Sequence, residues 1–432
     1  MSDFSRRKFI TTAGTALAAT TLIGKQARAD ANSTLRIAVI GVNGRGRSHI
    51  AEFSKLPGVE LAVFCDPDQR VAQARAAEFE KSNGRKVEIE SDMRKVFDRK
   101  DIDICTIATP NHWHSLATIW ACQAGKDVYV EKPGSHNIFE GRKMVEAAKK
   151  YNRIVQHGVQ LRSSPAIREG VEHLRNGTIG EVYMARGLVF RRRASIDKTQ
   201  PEQAPDYLNW DLWQGPAQER EFSRRYVHYN WHWHWDFGNG DVGNQGIHET
   251  DMCQWGLDVQ LPKEVVAMGG KFLWDDDKET PEVLTSCYKY PDQNKLIQFE
   301  VRHWHTNSEQ GVGVGNIFYG SEGILVVDGY SSYRIYDDKG KEGPSRRDDS
   351  DAMGYHVANF IEAVRSRKTE DQNGPVESAH YSSALAHLGN IAYRTGRQLQ
   401  FDPAAEKFVG DDEANKMLTR EYRAPYVVPE SV

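Results

Sequence analysis

The sequence predicts an α/β fold made of an N-terminal doubly wound parallel sheet and a C-terminal α/β domain with a mostly antiparallel open sheet. The first observation is an alternation of apolar strand-like runs with helical runs between residues 35 and 158. The second is a change of pattern after residue 158, where strand-like runs follow one another with few helices between them. Alternating units predict parallel strands joined by crossover helices, whereas successive strands predict antiparallel pairing.

The individual elements follow from these patterns. In the first part, strands are predicted at residues 35–40, 59–65, 103–109, 128–130 and 154–156, and helices at 48–56, 69–82, 115–124 and 138–151. In the second part, a helix at 165–175 precedes strands at 182–190, 264–272, 283–290, 296–303 and 324–327, and helices at 355–367 and 377–395 close the fold. The predicted domains are residues 30–158 and 159–400, followed by a C-terminal tail at 401–432.

The first residues have the form of an export signal. Ser5-Arg6-Arg7-Lys8-Phe9-Ile10 matches a twin-arginine leader, and residues 27–29, Ala-Arg-Ala, have the small-x-small form of a cleavage site. The apolar stretch at residues 11–24 is shorter than the roughly 20 residues that a membrane span needs. We therefore expect residues 1–29 to be a removable signal peptide, the mature protein to reach the periplasm already folded, and no stable membrane span.

Composition argues against some partners. The chain of 432 residues has a formal net charge of −4, whereas a nucleic-acid-binding protein usually presents a clearly basic surface. The run Arg191-Arg192-Arg193 is interpreted as a solvated strand end. The five cysteines form no Cys-x-x-Cys pair. His-Trp-His occurs at residues 112–114, 232–234 and 303–305, but no carboxylate pattern beside these pairs matches a metal site, so no metal is predicted.

The turn after the first strand resembles a dinucleotide-binding fingerprint. The three places of G-x-G-x-x-G, the middle one taken by Asn, lie in the turn formed by Gly41, Asn43, Gly44, Arg45 and Gly46. A helix follows, whose N-terminal N–H groups would hold a pyrophosphate. Asp66 ends the next strand, where a carboxylate binds the ribose 2′-hydroxyl. This carboxylate would repel a 2′-phosphate, so NAD is favoured over NADP.

Two further clusters follow strands on the same edge of the predicted sheet. Thr109, Asn111 and His112 come after the third strand, and Glu131 and Lys132 come after the fourth. Ligands of such sheets bind at the carboxyl ends of the strands, so we expect all five residues to lie at the cofactor. Burial and the nearby nicotinamide charge would lower the pKa of Lys132, which makes this lysine a candidate general base.

These motifs, together with Asn244-Gln-Gly-Ile-His248-Glu-Thr-Asp251, resemble those of the Gfo/Idh/MocA oxidoreductase family and its exported members. The resemblance covers nearly all of the mature chain and implies a Rossmann domain followed by a mostly antiparallel α/β domain. It implies that Lys132 and His248 are catalytic and hold the substrate hydroxyl while hydride leaves the adjacent carbon. Asn244 stands where the family has an aspartate, and Asp241 and Asp251 are the alternative carboxylates. A homo-oligomer that pairs through an exposed sheet face is also implied.

Residues 194–241 form a stretch rich in Trp, Tyr, His and Pro, which we call the aromatic segment. Loops of this length are usually functional or disordered, and the aromatic content favours a functional one. Trp and Tyr rings stack on sugars, while His, Asn and Asp side chains bond sugar hydroxyls. The residues predicted to bind substrate are Tyr229, Trp231, His232, Trp235 and Asp241. The alternative interpretation is that these aromatic side chains only pack against one another.

Export constrains the reaction, because NAD is a cytoplasmic metabolite and an exported enzyme must carry its cofactor along. The first hypothesis is an NAD-dependent oxidoreductase that acts on a secondary alcohol of a sugar or glycoside with tightly bound cofactor, which a second sugar re-reduces as in the family's glucose-fructose oxidoreductase. The alternative is a redox-neutral glycosidase that oxidises C3 transiently, like the family's NAD-dependent α-N-acetylgalactosaminidase. The candidates for its base at C2 are Tyr229, His228 and His232. A third hypothesis is a non-catalytic sugar sensor, which has no need of Lys132.

Overall fold

The computed structural model describes residues 34–304, 307–348 and 351–432. The predicted signal peptide, residues 1–29, lies outside these ranges. Two sheets organise the described chain, one of six strands and one of ten, in agreement with the predicted fold class. Within the described ranges, no helix is both long enough and apolar enough to cross a membrane.

The first sheet is parallel throughout. Its strands are β1 (Leu35–Ile40), β2 (Val59–Cys65), β3 (Glu88–Glu90), β4 (Ile104–Ile107), β5 (Asp127–Val130) and β6 (Val155–His157), in the order β3-β2-β1-β4-β5-β6. Its helices are α1 (Arg45–Phe53), α2 (Gln69–Asn83), α3 (Met93–Phe97), α4 (Asn111–Gln123) and α5 (Ile138–Lys150). β4 and β5 are buried at every position, which explains their continuous apolar runs.

The second sheet is antiparallel except for one pair. Its strands are β7 (Val182–Phe190), β8 (Glu264–Gly270), β9 (Val283–Tyr290), β10 (Lys295–Arg302), β11 (Val314–Gly320), β12 (Gly323–Asp328), β13 (Ser332–Asp337), β14 (Glu342–Arg347), β15 (Leu399–Asp402) and β16 (Lys407–Phe408). Their order is β14-β13-β12-β11-β7-β10-β9-β8-β15-β16, and only β7 and β10 pair in parallel.

The remaining helices cover the second sheet and join it to the first. They are α6 (Pro165–Arg175), α7 (Trp210–Gln214), α8 (Gly240–Asn244), α9 (Gly246–Leu257), α10 (Ala352–Ser366), α11 (Val376–Thr395) and α12 (Asp412–Lys416). Helices α9 and α11 lie on one face of the sheet, where Tyr288 and Phe299 pack in one core with Leu385. Because α8 directly precedes α9, this packing also positions the polar residues of α8.

Two segments from the C-terminal part of the chain pack against the first sheet. Val357 and Phe360 of α10 pack with Ile37 and Phe53 in one apolar cluster. Residues 419–432 return as well, because the Tyr426 ring meets Trp113 of α4 edge-on at 5.4 Å. The core of the first sheet therefore depends on residues from the C-terminal part of the chain.

Some element boundaries differ from the prediction. α1 begins at Arg45 rather than residue 48, and α4 begins at Asn111 rather than residue 115, directly after Pro110. The sequence patterns did not reveal six strands, which are β3, β11, β13, β14, β15 and β16. Every residue of β14 is exposed, so this edge strand is formed by pairing with β13 and not by apolar content of its own.

Candidate active site

A cavity of about 260 Å³ opens at the carboxyl ends of β1, β2, β4 and β5. This is the edge at which the sequence predicts a cofactor. The lining includes residues from the first sheet, from the aromatic segment and from α8. The two domains and the segment between them therefore contribute to one cavity.

The glycine turn is as tight as the fingerprint requires. Gly41 has φ +79°, and a Cβ there would lie 2.7 Å from the carbonyl oxygen of Ala108. A Cβ on Gly46 would lie 1.9 Å from the carbonyl oxygen of Gly41, so no side chain fits at either position. α1 begins after Gly44 with no side-chain cap and no acidic residue in its first turn. A helix N-terminus without a side-chain cap or an acidic residue suits the pyrophosphate of a dinucleotide.

Asp66 lies at the ribose end of the cavity. Its two carboxylate oxygens accept the N–H groups of Val42 and Asp68, each at 3.0 Å. Burial raises the pKa of Asp66 to about 6. Each carboxylate oxygen has a second lone pair, which is free to accept a ribose hydroxyl. The position therefore fits NAD, as predicted.

The ends of β4 and β5 supply polar atoms further along the cavity. Thr109 Oγ1 is buried without a hydrogen-bond partner, which leaves a polar atom for a bound ligand. Glu131 Oε1 lies 2.7 Å from Arg45 Nε and 3.1 Å from His49 Nε2. Burial acts to raise the pKa of Glu131, but the charge of Arg45 and the His49 hydrogen bond outweigh it, and the pKa lies well below its usual value. Glu131 is therefore a fixed carboxylate beside Lys132.

Lys132 connects the first sheet to α8. Its Nζ donates a hydrogen bond to the backbone carbonyl of Asn244 at 2.5 Å. Burial lowers the pKa of Lys132, and the charge of Glu131 opposes this effect without cancelling it. The lowered pKa agrees with the prediction for this residue. It increases the fraction of neutral amine, the form that accepts a proton.

Asn244 and Asp241 belong to one hydrogen-bond network on α8. Asn244 Nδ2 lies 3.1 Å from Asp241 Oδ1 and 3.4 Å from the Tyr229 hydroxyl. Arg193 binds both carboxylate oxygens of Asp241, at 2.9 and 2.6 Å, and His303 Nε2 is 3.4 Å away. Burial acts to raise the pKa of Asp241, but the bonds from His303 and Arg193 outweigh it and lower the pKa. A carboxylate is thus present one helical turn before Asn244.

His248 lies behind the cavity and not in its lining. It is buried, and its Nδ1 has no hydrogen-bond partner. Burial lowers the pKa of His248 well below its usual value, and the charge of Lys132 acts in the same direction, so the two side chains are within electrostatic reach. Asp251, the other alternative carboxylate, is bound by Arg162 at 2.7 Å and also lies outside the lining.

The aromatic segment forms one wall of the cavity. It contributes Leu212, Trp213, His228, Tyr229, Trp231 and His232. The segment also contacts the first sheet beside Asp66. The N–H of Gln69 donates to the carbonyl of Tyr207 at 2.9 Å, and the Arg70 guanidinium lies 3.2 Å from the centroid of the Tyr207 ring. His228 Nε2 lies 3.1 Å from Asp68 Oδ2.

The rest of the segment packs internally. A buried cluster contains Leu208, Trp213, Ala217, Phe222, Tyr226, Trp231 and Phe237. Trp233 is buried too and packs against His303 at 5.1 Å. Trp213 and Trp231 belong both to this cluster and to the cavity lining, so the packed cluster and the cavity wall share residues.

Two family models match the sequence. The model described as the NAD-binding Rossmann fold of the Gfo/Idh/MocA oxidoreductase family matches residues 35–159. The model described as the C-terminal α/β domain of the same family matches residues 189–298 and 342–428. The chain belongs to the Gfo/Idh/MocA family. The predicted family is thereby confirmed, and so is the prediction that the cofactor is NAD, because the matched Rossmann domain is the family's NAD-binding domain.

Curated relatives of this Gfo/Idh/MocA protein match over part of their length. Glycosyl hydrolase family 109 protein 1 from Shewanella sp. (strain ANA-3) is 34% identical over 120 residues, which cover 27% of the chain and 26% of that protein. Levoglucosan dehydrogenase from Pseudarthrobacter phenanthrenivorans is 29% identical over 231 residues, which cover 51% of the chain and 50% of the dehydrogenase. The matches thus span half or less of these relatives.

Solved structures of low sequence identity share the fold. The WlbA dehydrogenase from Bordetella pertussis, in complex with NADH and UDP-GlcNAcA, is 18% identical with a TM-score of 0.65, covering 85% of the chain and 99% of the dehydrogenase. Levoglucosan dehydrogenase in complex with NADH and L-sorbose is 16% identical with a TM-score of 0.65, over 85% and 99% of the two chains. Both complexes contain the reduced form of the predicted cofactor.

Most of the predicted site residues of this Gfo/Idh/MocA protein line the cavity. They are Gly41, Asn43, Gly44, Arg45, Asp66, Thr109, Asn111, Glu131, Lys132, Tyr229, Trp231, His232 and Asn244. Gly46, His112, Trp235, Asp241 and His248 lie outside the lining. Gly46 allows the close turn, and Asp241 accepts a hydrogen bond from Asn244. Both residues therefore affect the cavity through its lining residues.

His112 and Trp235 have other roles than those predicted. The His112 ring nitrogens lie 3.0 Å from the carbonyl of Trp213 and 3.3 Å from that of Phe237. His112 therefore connects α4 to the backbone of the aromatic segment and lies outside the cavity lining. Trp235 lies outside the cavity lining, and the Arg394 guanidinium lies over its ring at 5.1 Å.

The His-Trp-His pairs mostly serve hydrogen bonding. His114 binds the carbonyls of Pro133 at 2.6 Å and Thr109 at 2.8 Å. His234 Nδ1 lies 3.4 Å from Glu279. His305 lies outside the described residues. Among the residues that the structure describes, no group of three or more His, Cys, Asp or Glu side chains is arranged to hold a metal ion.

Sequence reasoning missed the role of Arg193. Only Arg191 and Arg192 are exposed at the strand end, whereas Arg193 points inward and binds Asp241. The available signal was Asp241 itself, because a buried carboxylate needs a cationic partner. The set of predicted cavity residues was also incomplete. Ser91, Asp92 and Met93 line the cavity and were not predicted.

Proposed function

We propose that this protein is an NAD-dependent oxidoreductase that acts on a secondary alcohol of a sugar or glycoside and keeps its cofactor bound. The observation that carries the proposal is the position of Lys132, which lies in one cavity with the NAD-binding turn and with the polar residues Tyr229 and His232. Levoglucosan dehydrogenase, among the relatives, supports a sugar as the substrate class. A cavity with a few convergent polar groups is typical of a small-molecule site.

Different residues of the chain bind the cofactor and transfer the proton. When bound, NAD supplies the hydride acceptor and donor. The N-terminus of α1 would hold the pyrophosphate, and Asp66 would hold the ribose. Lys132 takes the proton of the sugar hydroxyl as the adjacent carbon is oxidised, and the carbonyl of Asn244 fixes the position of Nζ. Trp231 lines the cavity beside these groups, with its ring stacked on His232.

Retention of NAD is supported by the way the aromatic segment contacts the first sheet. The N–H of Asn209 donates to the carbonyl of Pro67, the residue that follows Asp66, at 3.0 Å. Together with the bond between His228 and Asp68, this contact holds the segment against the ribose end of the cavity. These contacts hold the segment next to Asp66, the residue that would bind the ribose of NAD.

A redox-neutral glycosidase is the second candidate. The relative in glycosyl hydrolase family 109 favours it, although that match covers 27% of the chain. The structural support is a second group in the cavity, the Tyr229 hydroxyl, that is suited to exchange a proton with the sugar. In this reaction the sugar is oxidised, cleaved and reduced again, so the cofactor returns to its initial state without leaving.

The test begins with the protein as purified, without added NAD. Mass spectrometry after denaturation measures bound NAD, and absorbance of reduced nicotinamide measures hydride transfer from a panel of methyl and p-nitrophenyl glycosides. We expect bound NAD and a sugar-dependent absorbance change. Lys132→Met should lower the rate by at least about 100-fold, because a general base contributes about 10²–10⁴. Lys143→Met, which removes a lysine paired with Glu146 on α5, is the control.

The outcomes separate the candidates. Keto-sugar without aglycone release supports the oxidoreductase, and free p-nitrophenol supports the glycosidase. Sugar binding without reduction of NAD, unaffected by Lys132→Met, would contradict both and leave the sugar sensor.

The proposal also includes location and assembly. We propose that the leader at residues 5–10 directs export of the folded protein to the periplasm, and that the mature protein is a homo-oligomer. The support is the twin-arginine motif for export, and the exposed Val266 and Met268 of β8 for assembly. Cell fractionation of an Arg6→Lys/Arg7→Lys variant and light scattering of the mature protein test the two points.

A further inference from the structure

Three side chains of the aromatic segment that can accept a proton line the cavity: His228, Tyr229 and His232. They are close in sequence but differ in their surroundings. Their hydrogen-bond partners distinguish which of them is free to react with a sugar beside Lys132.

The two histidines are poorly suited to this role. His228 Nε2 lies 3.1 Å from Asp68 Oδ2, which directs the ring to the ribose end of the cavity. His232 is buried, lies 3.6 Å from the parallel ring of Trp231, and bonds the carbonyl of Tyr229 through Nδ1 at 2.5 Å. Burial lowers the pKa of His232 to about 3, so its imidazole binds a proton weakly.

Tyr229 is held differently. Its side chain is 49% exposed, and its hydroxyl oxygen accepts hydrogen bonds from Arg193 Nη1 at 3.0 Å and Asn244 Nδ2 at 3.4 Å. Two N–H donors at one oxygen, one of them from a guanidinium, stabilise negative charge on that oxygen. Asn244 also receives the Nζ bond of Lys132 on its carbonyl, so one residue connects both side chains.

We propose that Tyr229 is a second catalytic residue, the base that removes the proton from the sugar carbon next to the one oxidised beside Lys132. The inference rests on the proposed function, because only a neighbouring carbonyl makes that C–H bond acidic. It identifies the proton acceptor that the glycosidase reaction requires.

The C2–H bond of a 3-keto sugar breaks, the proton forms an O–H bond with the Tyr229 phenolate, and the electron pair is delocalised onto the C3 carbonyl oxygen. In a glycoside, this pair then forms the C1–C2 double bond while the C1–O bond breaks. The departing oxygen takes both electrons of that bond and receives a proton from water.

Arg193 acts as a positioning residue for Tyr229. Its Nε and Nη2 bind Asp241, which leaves Nη1 directed at the Tyr229 hydroxyl. Asp241 is buried, and His303 Nε2 lies 3.4 Å from Oδ2, the oxygen that also accepts from Arg193 Nε. The guanidinium is therefore held in one orientation by a carboxylate that is itself fixed.

The test uses the protein as purified and methyl 3-keto-β-D-glucopyranoside in D₂O, with loss of the C2 proton followed by NMR. We expect the wild type to accelerate exchange above the buffer rate and Tyr229→Phe to lose at least about 100-fold of that acceleration. Tyr229→Phe removes one oxygen from a half-exposed ring, so the fold should be retained. Tyr355→Phe, at a 52% exposed tyrosine of α10, is the matched control.

A second variant tests the hydrogen bonds to Tyr229. Asn244→Ala removes one of the two donors to the hydroxyl oxygen. We expect a lower exchange rate in this variant and partial rescue in Asn244→Gln, which keeps an amide donor, whereas a merely structural role would give no rescue.

Failure of the inference and failure of the proposed function give different results. If glycosides reduce bound NAD but Tyr229→Phe exchanges C2 at the wild-type rate, the inference is wrong and the oxidoreductase stands. If exchange is lost in His232→Gln but retained in Tyr229→Phe, the base is His232 and the inference is wrong. Absence of wild-type exchange overturns it as well. If exchange depends on Tyr229 while no glycoside reduces NAD, the proposed oxidation fails.

Discussion

The contacts between the aromatic segment and the first sheet should determine how long NAD stays bound. Tyr207→Ala/His228→Ala removes the stacking of Arg70 on Tyr207, at 3.2 Å, and the bond from His228 to Asp68, at 3.1 Å. An exposed cation–π contact contributes about 0.5–1 kcal/mol and a hydrogen bond about 1 kcal/mol, about 2 kcal/mol together. If both contacts must break before NAD leaves, release should accelerate by about 30-fold, because 1.4 kcal/mol corresponds to tenfold.

The assay is release of radiolabelled NAD from the loaded protein into an excess of unlabelled NAD, followed by rapid gel filtration. Arg224→Ala is the control, because Arg224 lies in the same segment but pairs with Glu202 and not with the first sheet. A release rate within about twofold of the wild type in the double variant would refute the reasoning, since the segment would then not restrain the cofactor.

Three further predictions concern stability and cofactor binding. Gly46→Ala places a Cβ 1.9 Å from the carbonyl of Gly41, so calorimetry should show loss of NAD binding and unfolding should be easier by about 1–3 kcal/mol. Burial raises the pKa of Glu249 from 4.5 to about 8. The free energy of unfolding of the wild type should therefore fall as pH rises through this range, by up to about 5 kcal/mol. Urea unfolding of Glu249→Gln should lack this loss. Arg420→Ala removes bonds to the carbonyls of Asp236 and His112, and urea unfolding should show a loss of about 3 kcal/mol.

The sequence predicts local features of the fold better than pairings between distant segments. β1 and β2 have the predicted bounds, because each is a short apolar run that ends at a polar or glycine-rich turn. β14 was missed, because its polar residues form a strand only by pairing with β13. Propensity describes what a segment prefers alone, whereas an edge strand depends on its neighbour.

The same distinction applies to the site. Lys132 and Asp66 were identified because each follows a strand whose position in the sheet determines what the residue meets. The role of Arg193 was not predicted from the sequence. Arg193, Tyr229 and Asp241 meet only when the end of β7, the aromatic segment and α8 come together. His112 was assigned to the cofactor because its neighbours in sequence are there, but its imidazole faces the backbone of another segment.

The return of residues 419–432 to the first sheet bears on the order in which the molecule is completed. Arg420 binds the carbonyl of Asp236, and Arg423 binds that of Gly215 at 3.0 Å, both in the aromatic segment. The Tyr426 hydroxyl lies 2.8 Å from Asp211 Oδ2. During synthesis, the Rossmann domain therefore leaves the ribosome well before the residues that fasten the cavity wall. The cavity wall can therefore reach its final packing only after the Rossmann domain has been synthesised.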